Sequence, residues 1–230
     1  MSSDVYSIRA SDLSLRRQET LLVALLLAFA GGYIDAYTWI LHGVLANAQS
    51  ANVVFLWVEA MAQRWEEAFR YVPPILAFTV GVAVASWLRR SAGGKAGEVS
   101  LLIEIVMLLV VGVLHNRLPD LAGTLGISFV AAIQTSIFTK VEGLTYSSVM
   151  ITGNMRQAIE GVFEAVSGGR DLGGLRRACI FIGLCAAFGT GAAVGALLTE
   201  QVPVLTLGLP IAVLLVVLLR CETGRMRQRA

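Results

Sequence analysis

The residue best placed to do chemistry is Asp35, a lone carboxylate inside the apolar run 20–41. It lies about fourteen residues into that run, which at ~1.5 Å per helical residue sets it roughly 20 Å deep. A charge at the centre of a bilayer costs about 2.5–3.5 kcal/mol on insertion scales, so Asp35 must face partners inside the protein or carry a proton. It serves either as a solute, ion or proton site or as a lock, bonded to Tyr37, Thr38 or the region of Asn52. Asn154 is the second signal. After it, Met155, Ala158, Ile159, Val162, Phe163 and Val166 recur at helical spacing, while Arg156, Gln157, Glu160 and Glu164 hold the opposite face. Asn caps helix starts well and Gly153 suits a turn ahead of it, so the sequence predicts a capped helix there. Asn52 heads a more apolar counterpart through Val53, Val54, Leu56, Trp57 and Met61. The two are either capped helices and nothing more, or helix starts that aim their free N–H groups and positive dipole ends at a buried solute.

Other reactive groups are few. Glu104 stands near the start of an apolar run, where snorkelling or Lys95 would satisfy it. Pro210 predicts a kink in the last run, and Lys140 and Glu142 read as interfacial charges. His42 and His115 are the only histidines, and Cys179, Cys185 and Cys221 have no metal-site or disulfide spacing, so no metal or cofactor is expected. There is no HExxH, nucleophile elbow, P-loop or CxxC, which argues against an enzyme. A membrane-embedded hydrolase built from Asp35, Ser50 and Thr152 would lack a paired base.

These residues need a bilayer around them. The chain is 56% hydrophobic and 15% charged, against about 25% charged in ordinary soluble domains. Six stretches approach the ~20 apolar residues that a membrane crossing requires: 20–41, 72–88, 99–115, 121–138, 178–198 and 203–219. Pro73, Pro119 and Pro203 stand at or before starts, where a missing N–H does little harm. Arg16, Arg17 and the following apolar stretch mimic a signal peptide with Ala28-Phe29-Ala30 as cleavage site, but the apolar run continues to Leu41, so a retained span is expected. With both termini cytoplasmic, every basic residue except Arg64, Arg70 and Arg117 falls inside, which six crossings satisfy. Segments 43–63 and 143–166 are left over and must be re-entrant or interfacial. The expected organisation is a tail 1–19, one membrane domain 20–219 and a basic tail 220–230. Its partners are the lipid bilayer and a small solute or ion. A net charge of +2 gives no reason to expect nucleic acid, and a homo-oligomer is possible.

The membrane domain repeats itself. An offset of 100 lays Gly31-Gly32-Tyr33-Ile34-Asp35-Ala36 over Ala131-Ala132-Ile133-Gln134-Thr135-Ser136 and Gly43 over Gly143. A two-residue insertion then matches Ser50-Ala51-Asn52 with Thr152-Gly153-Asn154. The small-residue stripe Ala77, Gly81, Ala85 corresponds to Ala187, Gly191, Gly195. The repeats are 20–117 and 121–219. An odd number of crossings per repeat inverts the second copy, a plan recurrent in secondary transporters.

In these same segments, GGYIDAYTWILHGV with SAN, and AIQTSIFTKVEGLTYSSVMITGN, the chain resembles the YoaK-like family of bacterial six-span proteins, a domain of unknown function. The family's Gly-x-x-Asp-Ala is matched at Gly32, Asp35 and Ala36, and its Thr-Gly-Asn at Thr152-Gly153-Asn154. Ser50-Ala51-Asn52 softens the first copy, and Thr135-Ser136 stand where the family often has Asn-Ala. The resemblance implies location in a bacterial inner membrane and no established activity. The expectation is an all-α integral membrane protein, a transporter or channel with Asp35, Asn52, Thr152 and Asn154 near a central site and Gln134 and Thr135 across from Asp35. The rival expectation is a membrane scaffold with a dry, packed interior.

Overall fold

The computed structural model describes residues 18–114, 117, 120–167, 172–202 and 206–226. Apart from a two-residue-per-strand ribbon, its regular structure is helical: α1 (Leu21–His42), α2 (Gln49–Met61), α3 (Trp65–Phe69), α4 (Val72–Ala92), α5 (Ala96–Val113), α6 (Asp120–Ile137), then β1 (Lys140–Val141) and β2 (Leu144–Thr145), then α7 (Ile151–Ser167), α8 (Leu172–Gln201) and α9 (Gly208–Met226). Three helical stretches are long and apolar enough to cross a membrane: Leu21–His42, the run Trp65–Val113 that contains α3 to α5, and Leu172–Gln201. Ala122–Ile137 and Gly208–Cys221 are shorter apolar helices. The chain is a multi-pass membrane protein seated in a lipid bilayer. Its large side chains on the outside, among them Leu76, Val80, Trp87, Val106, Val113 and Ile182, are where such a protein meets acyl chains.

α1 is the most buried element, packed along α8 and also against α9 and α6. The contact with α8 is backbone on backbone. A methyl group added at Gly191 would overlap the Phe29 carbonyl oxygen and lie 2.9 Å from Phe29 Cα; at Gly195 it would lie 2.7 Å from Tyr33 O. Only a stripe without side chains permits that approach. α4 lies along α6 in the same manner, and a methyl group at Gly81 would meet Phe129 O and stand 2.7 Å from Ala132 Cβ. Between these pairs, Leu27, Ile34, Leu101, Leu108, Ile127 and Leu214 form a core shared by α1, α5, α6 and α9.

Two expectations need correction here. Pro210 puts no kink in α9, because the helix starts at Gly208 and the proline falls in its first turn, where an N–H has no intrahelical partner. Glu104 does not snorkel and does not meet Lys95. It is 1% exposed and faces α6, where the Gln134 amide, turned to suit its neighbours, donates to Oε1 at 2.6 Å and Oε2 at 3.0 Å. Pro119, Pro203 and His115 lie outside the described residues, as do Arg9, Arg16, Arg17 and Arg170.

Candidate functional site

In the first half the site begins where α1 stops. Gly43 takes the left-handed conformation (φ 65°) and donates to Trp39 O, which turns the chain back beside its own helix. Side chains of α1 then hold the returning loop. Ala46 N donates to Thr38 Oγ1 (3.2 Å), Asn47 N donates to Asp35 Oδ1 (2.8 Å) and Asn47 Nδ2 donates to Gly31 O (3.1 Å). Asp35 is therefore a carboxylate that receives a loop N–H. Asn52 closes the loop from its other end: Oδ1 accepts from Leu45 N at 3.1 Å and Nδ2 donates to Leu45 O at 2.7 Å. One amide thus satisfies both backbone groups of one residue, a pairing a buried loop needs in place of water.

The second half repeats this closure. Gly143, also left-handed (φ 85°), makes the turn of the β1–β2 ribbon. Asn154 Oδ1 accepts from Ser147 N (3.4 Å) and Asn154 Nδ2 donates to Ser147 O (2.7 Å), the same bond pair as Asn52 on Leu45. Ser147 Oγ accepts from Met150 N (3.1 Å) and lies 3.2 Å from Thr135 Oγ1, while Gln134 reaches Ser148 Oγ at 3.2 Å. The carboxylate of this half comes from a different helix: Glu104 of α5, through Gln134.

The two loops deliver the starts of α2 and α7 to one cavity of about 870 Å³. Asp35, Asn47, Gln49, Ser50 and Thr152 give it polar groups, and Trp39, Phe55, Phe78 and Phe188 give it aromatic walls. Of the six residues expected at the central site, Asp35 (6% exposed) and Thr152 line this cavity. Asn52 and Asn154 do not; they sit behind it as buried loop clamps. Nor do they cap their helices. Each is the fourth residue of its helix, and Ala48 takes the cap position of α2 without a side-chain bond. Gly153 likewise lies within the first turn of α7, not ahead of it. Gln134 and Thr135 are off the cavity, bound to Ser148 and Ser147. Asn47 and the four aromatic residues were not anticipated. Asn47 had a signal, an amide between alanines in an apolar stretch; nothing in sequence marks Phe78 or Phe188 apart from lipid-facing residues.

α7 carries its own anchor. Arg177 of α8 donates to Gln157, to Glu160 Oε2 (2.9 Å) and to Glu164 Oε1 (2.6 Å), which fixes the polar face of α7 against α8. Gly161 and Gly174 permit the crossing, since a methyl group on either would come within 2.8 Å of the other's backbone oxygen. Met155, Ile159, Phe163 and Val166 stay exposed on the opposite face. Glu142 pairs with Arg176 beside the ribbon.

No curated protein and no solved structure proves similar to this chain. A family model described as a protein of unknown function, DUF1275, matches residues 23–220. The match takes in both loops, both clamping asparagines and every residue of the cavity, and the chain belongs to the DUF1275 family.

Proposed function

We propose that this chain is a six-span transporter or channel for a small solute, formed by two inverted three-span repeats, with its solute site in the cavity between the starts of α2 and α7. The observation that carries the reading is the cavity itself. A buried carboxylate and the leading turns of two loop-borne helices converge on one space of a size that binds small molecules.

The count of six rests on the run Trp65–Val113. Its 49 residues would extend roughly 74 Å as one straight helix, more than twice the ~30 Å hydrocarbon core. Gly93, at φ 52°, breaks it, and the parts on either side, α4 and α5, both pack on α6, which favours two crossings. α6 and α9 supply the remaining two.

The repeat is supported by exchanged contacts. Gly191 of α8 meets Phe29 of α1, while Gly81 of α4 meets Phe129 of α6. Gly191 and Gly81 are counterparts, as are Phe29 and Phe129, so each half pairs its second long helix with the other half's first. Phe188 and Phe78, each three residues before those glycines, both line the cavity, as do the counterparts Ser50 and Thr152. An axis relating the halves would pass close to that space. The distribution of basic residues argues for both termini in the cytoplasm, and the resemblance to bacterial six-span proteins implies an inner membrane as its site.

The test is a thermal-shift screen of the purified protein and its Asp35→Asn variant against small metabolites and ions. The proposal expects compounds that stabilise the parent and lose that effect in the variant. A screen in which parent and variant respond alike to every compound refutes a site at Asp35.

A further inference from the structure

The lining of the cavity narrows the class of solute, given the transport reading above. Asp35 is the only ionisable side chain among the lining residues. The stretches that line the cavity with it, 45–58, 72–88, 144–155 and 178–199, and the helices 122–137 and 208–219 that also pack on α1, contain no Asp, Glu, Lys, Arg or His. Glu104 of α5 is engaged with Gln134; the other ionisable side chains of α1 are Tyr33, Tyr37 and His42, and the 178–199 stretch of α8 adds the thiols of Cys179 and Cys185. Among the described residues, Asp35 thus has no cationic partner in the cavity. Asn47, on the same wall, holds the carboxylate in place through its backbone N–H and is itself 3% exposed.

The rest of the lining is aromatic. The rings of Trp39 and Phe55 lie 5.7 Å apart, and Phe78 and Phe188 add further faces from α4 and α8. Aromatic faces and acceptor oxygens share a preference for positive charge on an apolar body. The helix starts pull the other way, each with a positive dipole end of about half a charge that fades within one turn. At α2 that end is largely satisfied from within: Gln49 N donates to Asn47 O, and Ala51 N and Asn52 N donate to Ala48 O. A whole charge on Asp35 outweighs the remainder.

We infer that the cavity takes a small organic cation with an aromatic or alkyl body, seated with its charge on the Asp35 carboxylate, and that this cation and a proton occupy Asp35 in turn. A carboxylate that is largely buried and has no cation beside it favours one or the other. The exchange forms no covalent bond: the cation enters as the proton leaves to water.

The probe is benzyltrimethylammonium, whose charge does not change with pH, so any pH dependence of its binding belongs to the protein. Benzyl alcohol and benzoate are the neutral and anionic comparators. Calorimetry on the full chain in detergent should show the cation binding at least tenfold more tightly than either comparator. Its affinity should fall as pH is lowered, with a proton released on binding in that pH range. Asp35→Asn, which keeps an acceptor for Asn47 N, should weaken the cation at least tenfold and abolish the pH dependence. Phe78→Leu keeps the apolar wall and removes a ring face, so it should weaken the cation several-fold and leave benzyl alcohol unchanged. Preference for benzoate, or an Asp35→Asn variant that binds the cation like the parent, overturns the cation assignment and leaves the cavity as a site for another solute. If no probe binds and a cysteine at position 152 is unreactive from either face of the membrane, the inference and the transport reading fall together.

Discussion

Gly191 and Gly189 of α8 offer a paired test of how closely the two halves of the protein approach. A methyl group at Gly191 would overlap the Phe29 carbonyl oxygen and stand 2.9 Å from Phe29 Cα; at Gly189 it would meet nothing within 4 Å. Carbon atoms settle at about 3.5–4.0 Å, so Gly191→Ala requires α1 and α8 to part by roughly 1 Å, and backbone cannot swing aside as a side-chain tip can. Overpacking of this kind costs about 1–3 kcal/mol. The gain of up to about 1 kcal/mol from replacing a mid-helix glycine is common to both variants and cancels between them. Gly191→Ala should therefore lie about 1–3 kcal/mol below Gly189→Ala in reversible unfolding by sodium dodecyl sulfate. Gly81→Ala, facing Phe129 O on α6, should behave as Gly191→Ala does. If all three variants unfold alike, the helices do not cross at glycine and the argument from exchanged contacts fails.

Three more outcomes follow from the loops and the topology. Asn154→Leu removes both bonds to Ser147 and strands its backbone groups, so it should cost about 2–3 kcal/mol in the same unfolding assay and speed amide exchange in 145–150; unchanged exchange there would mean that the asparagine is no clamp. Arg177→Met should loosen α7 from α8 by about 1 kcal/mol, an effect that shrinks in high salt because the cluster is partly exposed; protease susceptibility of 151–167 is the readout. Impermeant thiol reagents applied outside intact cells should miss cysteines placed in 89–98 and reach one placed at Glu200; the reverse pattern would defeat the assigned orientation.

The helices were legible in the sequence because a bilayer imposes a length and an apolarity that few other structures share. The two leftover stretches stood out for the same reason, and Gly43 and Gly143 were paired by alignment before both proved left-handed. What was hidden lay in contacts between distant residues. Asn52 has the composition of a cap, but nothing nearby in sequence says that its amide will turn to Leu45, seven residues back, in place of the N–H groups ahead of it. Glu104 looked like a group near water because its depth was counted from the start of its run; its partner Gln134 sits on another helix. Pro210 was misjudged because α9 starts at Gly208. The aromatic walls of the cavity were beyond sequence reasoning altogether, since Phe78 and Phe188 differ from lipid-facing residues only in what the other half of the molecule places beside them.

The central claim is that the space between α2 and α7 is a water-filled solute site reached from both sides of the membrane. Thr152 is exposed within it and tests the claim most directly. In a variant with Cys179, Cys185 and Cys221 replaced, a cysteine at position 152 should react with a membrane-impermeant thiol reagent applied from either face of oriented vesicles, and more slowly once the cavity is filled. Reaction from neither face would make the interior dry and the protein a scaffold.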